Sequence, residues 1–301
     1  MARPSSVTIV EVGPRDGLQN EAAVVSTADK IEFVNRLGAA GLPVIEVSAF
    51  VSPRWVPQMA DAGDVFAGID RRPGVRYTAL VPNLAGLDRA RAAGVGEVAI
   101  FAASSETFSL KNINQTIDAS LETYRDVAAR CAELDIRLRA YLSTAFGCPF
   151  EGAVDPVRVS EIAAALIDMG AFEVSVSDTI GIAHPGQVPV VVDAVAQRIP
   201  LQQIALHFHD TRGTALANVL TALDLGIQTF DASAGGLGGC PYAPGATGNL
   251  ATEDLVYMLD GLGIRTGVNL DALVEAARFI EAGVGHPLPS RYNRAVRAAK
   301  R

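Results

Sequence analysis

The chain has 301 residues, 49% of them hydrophobic and 19% charged, with a formal net charge of −8. That length suits one α/β barrel or two ordinary domains and is ample for a large core. The acidic balance argues against a general nucleic-acid binder, which needs a basic face, and no apolar run approaches the ~20 residues that cross a bilayer.

In chain order, short β-branched runs alternate with longer amphipathic stretches. Residues 7–12 read as the first strand. It leads into Val12-Gly13-Pro14-Arg15-Asp16-Gly17, where a cation and a carboxylate sit side by side at the strand end. One reading is a surface ion pair with a Gly turn. The other places Asp16 on a metal and Arg15 on an anionic substrate oxygen, because such groups are costly to bury without partners. Apolar residues then recur every three or four positions over 27–40, which predicts a helix that stops at Gly41. In the second strand, 44–47, Glu46 stands between Ile45 and Val47. Alternation aims it away from its apolar neighbours and into the barrel, either towards substrate or as a partner for Arg15.

Strands at 76–81, 97–101 and 137–142 follow, separated by helices at 84–93 and 117–133, the first ending in Gly94. After a helix at 157–169 and Gly170, the strand at 172–176 leads to Ser177-Asp178-Thr179. Ser175 and Ser177 share a face, while Asp178 is either an active-site carboxylate or the Asx residue that closes a turn. A helix at 186–198 precedes the seventh strand, 204–208, which carries two of the four histidines of the chain, His207 and His209. An i, i+2 spacing on a strand puts both imidazoles on one face, ~6.6 Å apart along the axis, so that they converge on one ion.

The helix at 214–225 stops at Gly226, and the eighth strand is 229–232. Beyond it, Gly235, Gly236, Gly238 and Gly239 surround Cys240. So many glycines predict a loop whose backbone approaches a ligand closely. A thiol there can exchange a proton with substrate. The loop lacks the Lys-Ser/Thr ending of a nucleotide P-loop. Asn249, just ahead of a helical pattern at 252–262, reads equally as a metal ligand or as a helix N-cap. A last helix is expected at 270–282.

Eight strand-and-helix repeats with no GxGxxG after the first strand favour an α/β fold, a closed (β/α)8 TIM barrel, over a doubly wound open sheet. The expectation is a single domain over 1–301, with 250–301 as a helical extension on the barrel. Active sites of such barrels lie at the C-terminal ends of the strands. All the candidates named so far fall there. The three cysteines are widely spaced and not a disulfide scaffold. Cys131, at core spacing on a helix, and Cys148, in the turn after strand five, read as structural. With no apolar signal core near its start, the chain reads as cytoplasmic.

One carboxylate, two imidazoles and an amide suit Mg²⁺, Mn²⁺ or Co²⁺ with positions left for substrate. Such an ion acidifies a chelated hydroxyl, as cleavage of a carbon–carbon bond beside a tertiary alcohol requires.

Several motifs together resemble one family. They are Val12 to Glu21 (VGPRDGLQNE), Phe50 to Met59 (FVSPRWVPQM), Lys111 to Asn114 (KNIN), the loop from Gly236 to Tyr242, and Gly248 to Asp254 (GNLATED). This pattern, spread nearly end to end, is similar to that of the 3-hydroxy-3-methylglutaryl-CoA (HMG-CoA) lyases. The resemblance implies a metal-dependent TIM barrel, usually dimeric, that splits an acyl-CoA substrate into acetyl-CoA and acetoacetate in leucine breakdown. It implies metal ligands at Asp16, His207, His209 and Asn249, and catalytic groups at Cys240, Arg15, Glu46 and Asp178. Substrate contacts are implied at Arg15, Gln19, Ser48, Ser175 and Glu253.

Four positions depart from the family pattern: Ala49 for an expected Ser, Ser177 for Gly, Arg212 for an aromatic residue and Pro244 for a polar one. They leave open a longer substrate such as 3-hydroxy-3-isohexenylglutaryl-CoA. A Claisen-condensing acyltransferase resembling isopropylmalate synthase is the main rival, although those enzymes usually carry an added C-terminal region. An amidohydrolase would place its HxH pair on strand one, where this chain has Arg15 and Asp16. A non-catalytic barrel has no use for Arg15, Glu46 and Cys240 at one mouth.

Overall fold

The computed structural model describes residues 3–239 and 248–299. Cys240 and Pro244 therefore lie outside the described residues. Eight strands run parallel and in sequence order around a closed barrel. They are β1 (Thr8–Glu11), β2 (Val44–Ala49), β3 (Arg76–Leu80), β4 (Glu97–Ala103), β5 (Arg137–Ser143), β6 (Glu173–Asp178), β7 (Ile204–Phe208) and β8 (Thr229–Ala232). β8 pairs back onto β1, with Thr8 opposite Thr229 and Glu11 opposite Ala232. The (β/α)8 fold expected from the repeat is the one observed, and closure excludes the doubly wound sheet.

Helices α1 (Thr27–Ala39), α2 (Ala62–Gly68), α3 (Leu84–Ala92), α4 (Glu106–Ile113), α5 (Ile117–Glu133), α6 (Pro156–Asp168), α7 (Val188–Ala196) and α8 (Ala215–Leu225) accompany the strands. Then come α9 (Thr252–Gly261), α10 (Leu270–Val284), which packs on α1, and α11 (Arg291–Ala299). Side-chain caps set several starts: Ser26, Asn83, Thr116, Asp155 and Asn269 each accept a backbone N–H from the first turn, a bond worth about 1 kcal/mol. Gly41, Gly94, Gly170 and Gly226 all adopt positive φ, as helix stops do. None of the helices is long and apolar enough to cross a membrane, among the described residues.

Three helices were not anticipated. α2 is seven residues with a Gly at its second and last positions, too short to show a period. α4 is framed by local chemistry, Ser105 capping its start and Asn114 closing it in the left-handed region at φ 55°. α11 is rich in Arg and Ala and carries little apolar signal.

The strands bury both faces. Leu206 and Phe208 are sealed in the hydrophobic core between barrel and helices, while the barrel interior holds charge. Arg139 there contacts Glu173 and Asp231, each at 2.8 Å. The pairing of β2 with β3 slips between Glu46 and Ser48. Such a bulge re-aims side chains beside many active sites.

Candidate active site

The first turn after β1 is unusually wide: the Gly17 N–H bonds to the Val12 carbonyl at 3.1 Å, an i to i+5 closure. Turns of this kind are frequent at functional sites. A Cβ on Gly17 would fall 2.8 Å from the Leu237 Cβ, so only glycine lets this turn seat against the root of the segment after β8. The turn presents Arg15 and Asp16. The Arg15 guanidinium donates to Glu46 Oε2 at 2.5 Å and to Asp16 Oδ1 at 2.8 Å, and its Cζ lies 5.2 Å from the centre of the Tyr141 ring. Arg15 and Glu46 are buried, so this is no surface ion pair.

His207 and His209 leave β7 on one face with ring centres 5.1 Å apart. Ligand atoms of Asp16, His207 and His209 all lie within 4.8 Å of one another. Burial, then the facing His207, pushes His209 down to about 3, so its ring is a neutral donor. Burial acts to raise Asp16, but the Arg15 guanidinium foremost, with the two neighbouring imidazoles and a bond from Asn249, holds it below its usual value.

Asn249 is not a helix cap. The cap of α9 is Ala251, and the Asn249 amide instead donates to Asp16 Oδ2 at 2.9 Å and to the Leu237 carbonyl at 3.0 Å. Its segment runs antiparallel beside the end of β7: Asp210 N–H bonds to the Gly248 carbonyl and Leu250 N–H to the Phe208 carbonyl, both at 3.0 Å. That pairing sets Asn249 opposite His209. Asn249 Oδ1 and His209 Nδ1 are buried with no hydrogen-bond partner. An unmet buried acceptor is costly, and a cation beside Asp16, to which the Asn249 amide is tied, gives the Asn249 oxygen a partner. The donor set therefore fits a divalent metal.

Several of these groups line a cavity of about 850 Å³. Arg15, Asp16, His207, His209 and Gln19 line it, with Tyr141, Ser177, Thr179, Lys111 and Trp55. Other candidates stand behind the wall with their polar atoms engaged. Ser48 donates to Met59 Sδ at 3.3 Å, and Ser175 to Asp231 Oδ2 at 2.6 Å. Glu253 accepts the Gly235 N–H on both oxygens at 2.9 Å. Asp178 does close a turn, accepting the N–H groups of Ile182 and Ala183 at 3.0 Å each. Burial nevertheless pushes its carboxyl up to about 6.

Cys131 is buried on α5, and burial pushes its thiol up to about 11. Cys148 Sγ accepts from Ser105 Oγ at 2.9 Å and from two backbone N–H groups. Of the departures from the family pattern, Ala49 is fully buried, Ser177 lines the cavity, and Arg212 donates to the Ile180 and Gly181 carbonyls, tying the turn after β7 to that after β6.

A family model described as HMGL-like matches residues 6–280. The chain belongs to the HMGL-like family. Within this family, it is 53% identical to the hydroxymethylglutaryl-CoA lyase of Bacillus subtilis over 291 residues, 97% of each chain. A crystal structure of the hydroxymethylglutaryl-CoA lyase of Pseudomonas aeruginosa superposes with a TM-score of 0.97 at 52% identity, covering 99% of this chain and 100% of the other. An HMG-CoA lyase from Acinetobacter baumannii, in complex with coenzyme A and 3-methylmalate, gives a TM-score of 0.92 at 40% identity, covering 97% and 95%.

Sequence reading passed over Asp231, Arg139 and Glu173, which link to His207 below the HMGL-like site. The signal that exposed Glu46, a charge inside an apolar strand run, is present at all three. Tyr141 and Thr179 were passed over, because a hydroxyl or aromatic near a strand end is too common to stand out; Lys111 and Trp55 were read only as parts of motifs and given no role.

Proposed function

We propose that this protein is a divalent-metal-dependent HMG-CoA lyase, converting (S)-3-hydroxy-3-methylglutaryl-CoA to acetyl-CoA and acetoacetate. The observation that carries it is the joining of Asp16, His207 and His209 in one ligand cluster with Arg15 held on Asp16, in a chain 53% identical to a hydroxymethylglutaryl-CoA lyase over nearly its whole length.

Asp16, His207, His209 and the Asn249 amide oxygen would hold the ion; imidazole, carboxylate and amide donors favour Mg²⁺ or Mn²⁺, with Co²⁺ acceptable. When bound, it supplies Lewis acidity at the substrate hydroxyl. Arg15, fixed by Glu46 and Asp16, places a permanent cation where negative charge gathers on the thioester oxygen. Asp16, which lines the cavity, and Asp178, whose carboxyl burial raises to about 6 behind the cavity wall, are the carboxyl groups that compete for the role of base towards the 3-hydroxyl proton. Loss of that proton closes the C3 ketone and breaks the C2–C3 bond; the electron pair leaves as the acetyl-CoA enolate. A proton delivered to C2 completes acetyl-CoA, a role the family resemblance gives to Cys240. Gln19, on the cavity wall, is read as a direct substrate contact. Ser48, Ser175 and Glu253 serve the substrate by supporting that wall.

The test is a substrate series at saturating Mg²⁺, comparing kcat/KM for HMG-CoA with that for a 3-isohexenyl homologue. The proposal expects HMG-CoA to be preferred. Preference for the long chain assigns the enzyme to the homologue, and turnover of neither overturns the lyase reading.

A further inference from the structure

One chain of polar contacts climbs the inside of the barrel and ends on the histidine pair. At its base, Arg139 Nε donates to Glu173 Oε1 at 2.8 Å. The other arm of the same guanidinium donates to Asp231 Oδ1, also at 2.8 Å. Asp231 Oδ2 then accepts the Ser175 hydroxyl at 2.6 Å and lies 3.3 Å from His207 Nδ1. That last contact falls short of a hydrogen bond, and His207 Nδ1 is buried without a hydrogen-bond partner. Arg139 and Asp231 are 3% and 1% exposed. Sheet register places Asp231 directly beside His207 on the neighbouring strand.

A carboxylate sealed in a barrel needs a reason to be there, since burial of an ion is costly even when paired. Arg139 is already met by Glu173, so Asp231 is not required merely to neutralise it. Its second oxygen lies beside the buried ring nitrogen Nδ1 of His207. A carboxylate at that place fixes the imidazole tautomer and the ring plane, leaving the opposite nitrogen as a bare lone pair.

We propose that Asp231 is a positioning residue for the metal centre: it holds the Nδ1–H of His207, presents Nε2 to the ion, and is itself locked by Arg139 and Ser175. This rests on the reading of Asp16, His207 and His209 as metal ligands.

The metal-free protein gives the first test. The chain has four histidines, so selective ¹⁵N labelling resolves His207. The expected result is a proton on Nδ1, and a ring with Nδ1 bare overturns the proposal.

The second test titrates Mn²⁺ into stripped protein, followed by electron paramagnetic resonance. Asp231→Asn is expected to weaken Mn²⁺ binding about 10–100-fold, whereas Glu173→Gln, which also strips Arg139 of a carboxylate, should bind nearly as the parent. Parental affinity in Asp231→Asn, or equal losses in both variants, overturns this proposal alone. Absence of Mn²⁺ binding in the parent overturns the metal reading and the proposal with it.

Discussion

Glu46 Oε2 lies 2.5 Å from Arg15 Nε, with both side chains buried where β2 meets the first turn. The second strand thus decides where the cation of the first one points. Removing the cation should harm chemistry and stability together. Arg15→Met is expected to lower kcat about 10²–10³-fold, the usual cost of losing one donor to a developing oxyanion. It also leaves Glu46 buried and unpaired, a loss of about 3–5 kcal/mol. Steady-state kinetics and urea unfolding read the two effects separately; parental turnover in Arg15→Met would remove it from the chemistry.

The proposed metal ligands should be visible without any substrate. Mg²⁺ or Mn²⁺ at 100 times its Kd stabilises a folded protein by about 2.7 kcal/mol. Thermal melting of the parent should rise accordingly, and that rise should vanish in His209→Ala. An undiminished rise in that variant would place the ion elsewhere.

Gly248 sits at φ +94°, and a Cβ there would fall 2.0 Å from the Gly238 carbonyl oxygen. Gly248→Ala must therefore push apart the two segments that deliver Asn249 to Asp16. The expected outcome is weaker Mn²⁺ binding with little change in far-UV circular dichroism. Unchanged affinity would show that Asn249 reaches its place by another route.

Glu253 gives a pH signature. Burial foremost, and the nearby Glu11 charge, push its carboxyl from 4.5 up to about 8 against the bonds from Gly235 and Asn293. The folded state holds this proton where the unfolded chain has released it. Stability from this group is therefore complete below pH 4.5 and is lost as pH rises from there to about 8. Glu253→Gln carries no such proton, so the stability of the parent relative to the variant should fall between pH 5 and pH 8.5 in paired urea titrations. A constant difference would mean that Glu253 is ionised throughout.

Much of the barrel is legible from the chain because a closed parallel sheet imposes its period on every strand. The His207 and His209 pair and the inward Glu46 were readable by alternation alone. Asn249 was not, because a helix cap and a metal ligand look alike in sequence; the segment 248–250 pairing beside β7 separates them. Asp178 stays doubly occupied, closing a turn while its carboxyl is raised. Asp231 carries the same inward-charge signal as Glu46, but its partners Arg139 and Ser175 are 92 and 56 residues away, and only the register of the closed barrel brings them together.

The most direct measurement is product analysis by mass spectrometry after incubation with HMG-CoA, with Mg²⁺ or Mn²⁺ and with EDTA. A metal-dependent lyase yields equal amounts of acetyl-CoA and acetoacetate, falls silent in EDTA, and recovers when either ion is returned in excess. No cleavage by the metal-loaded protein, or cleavage indifferent to EDTA, would refute it.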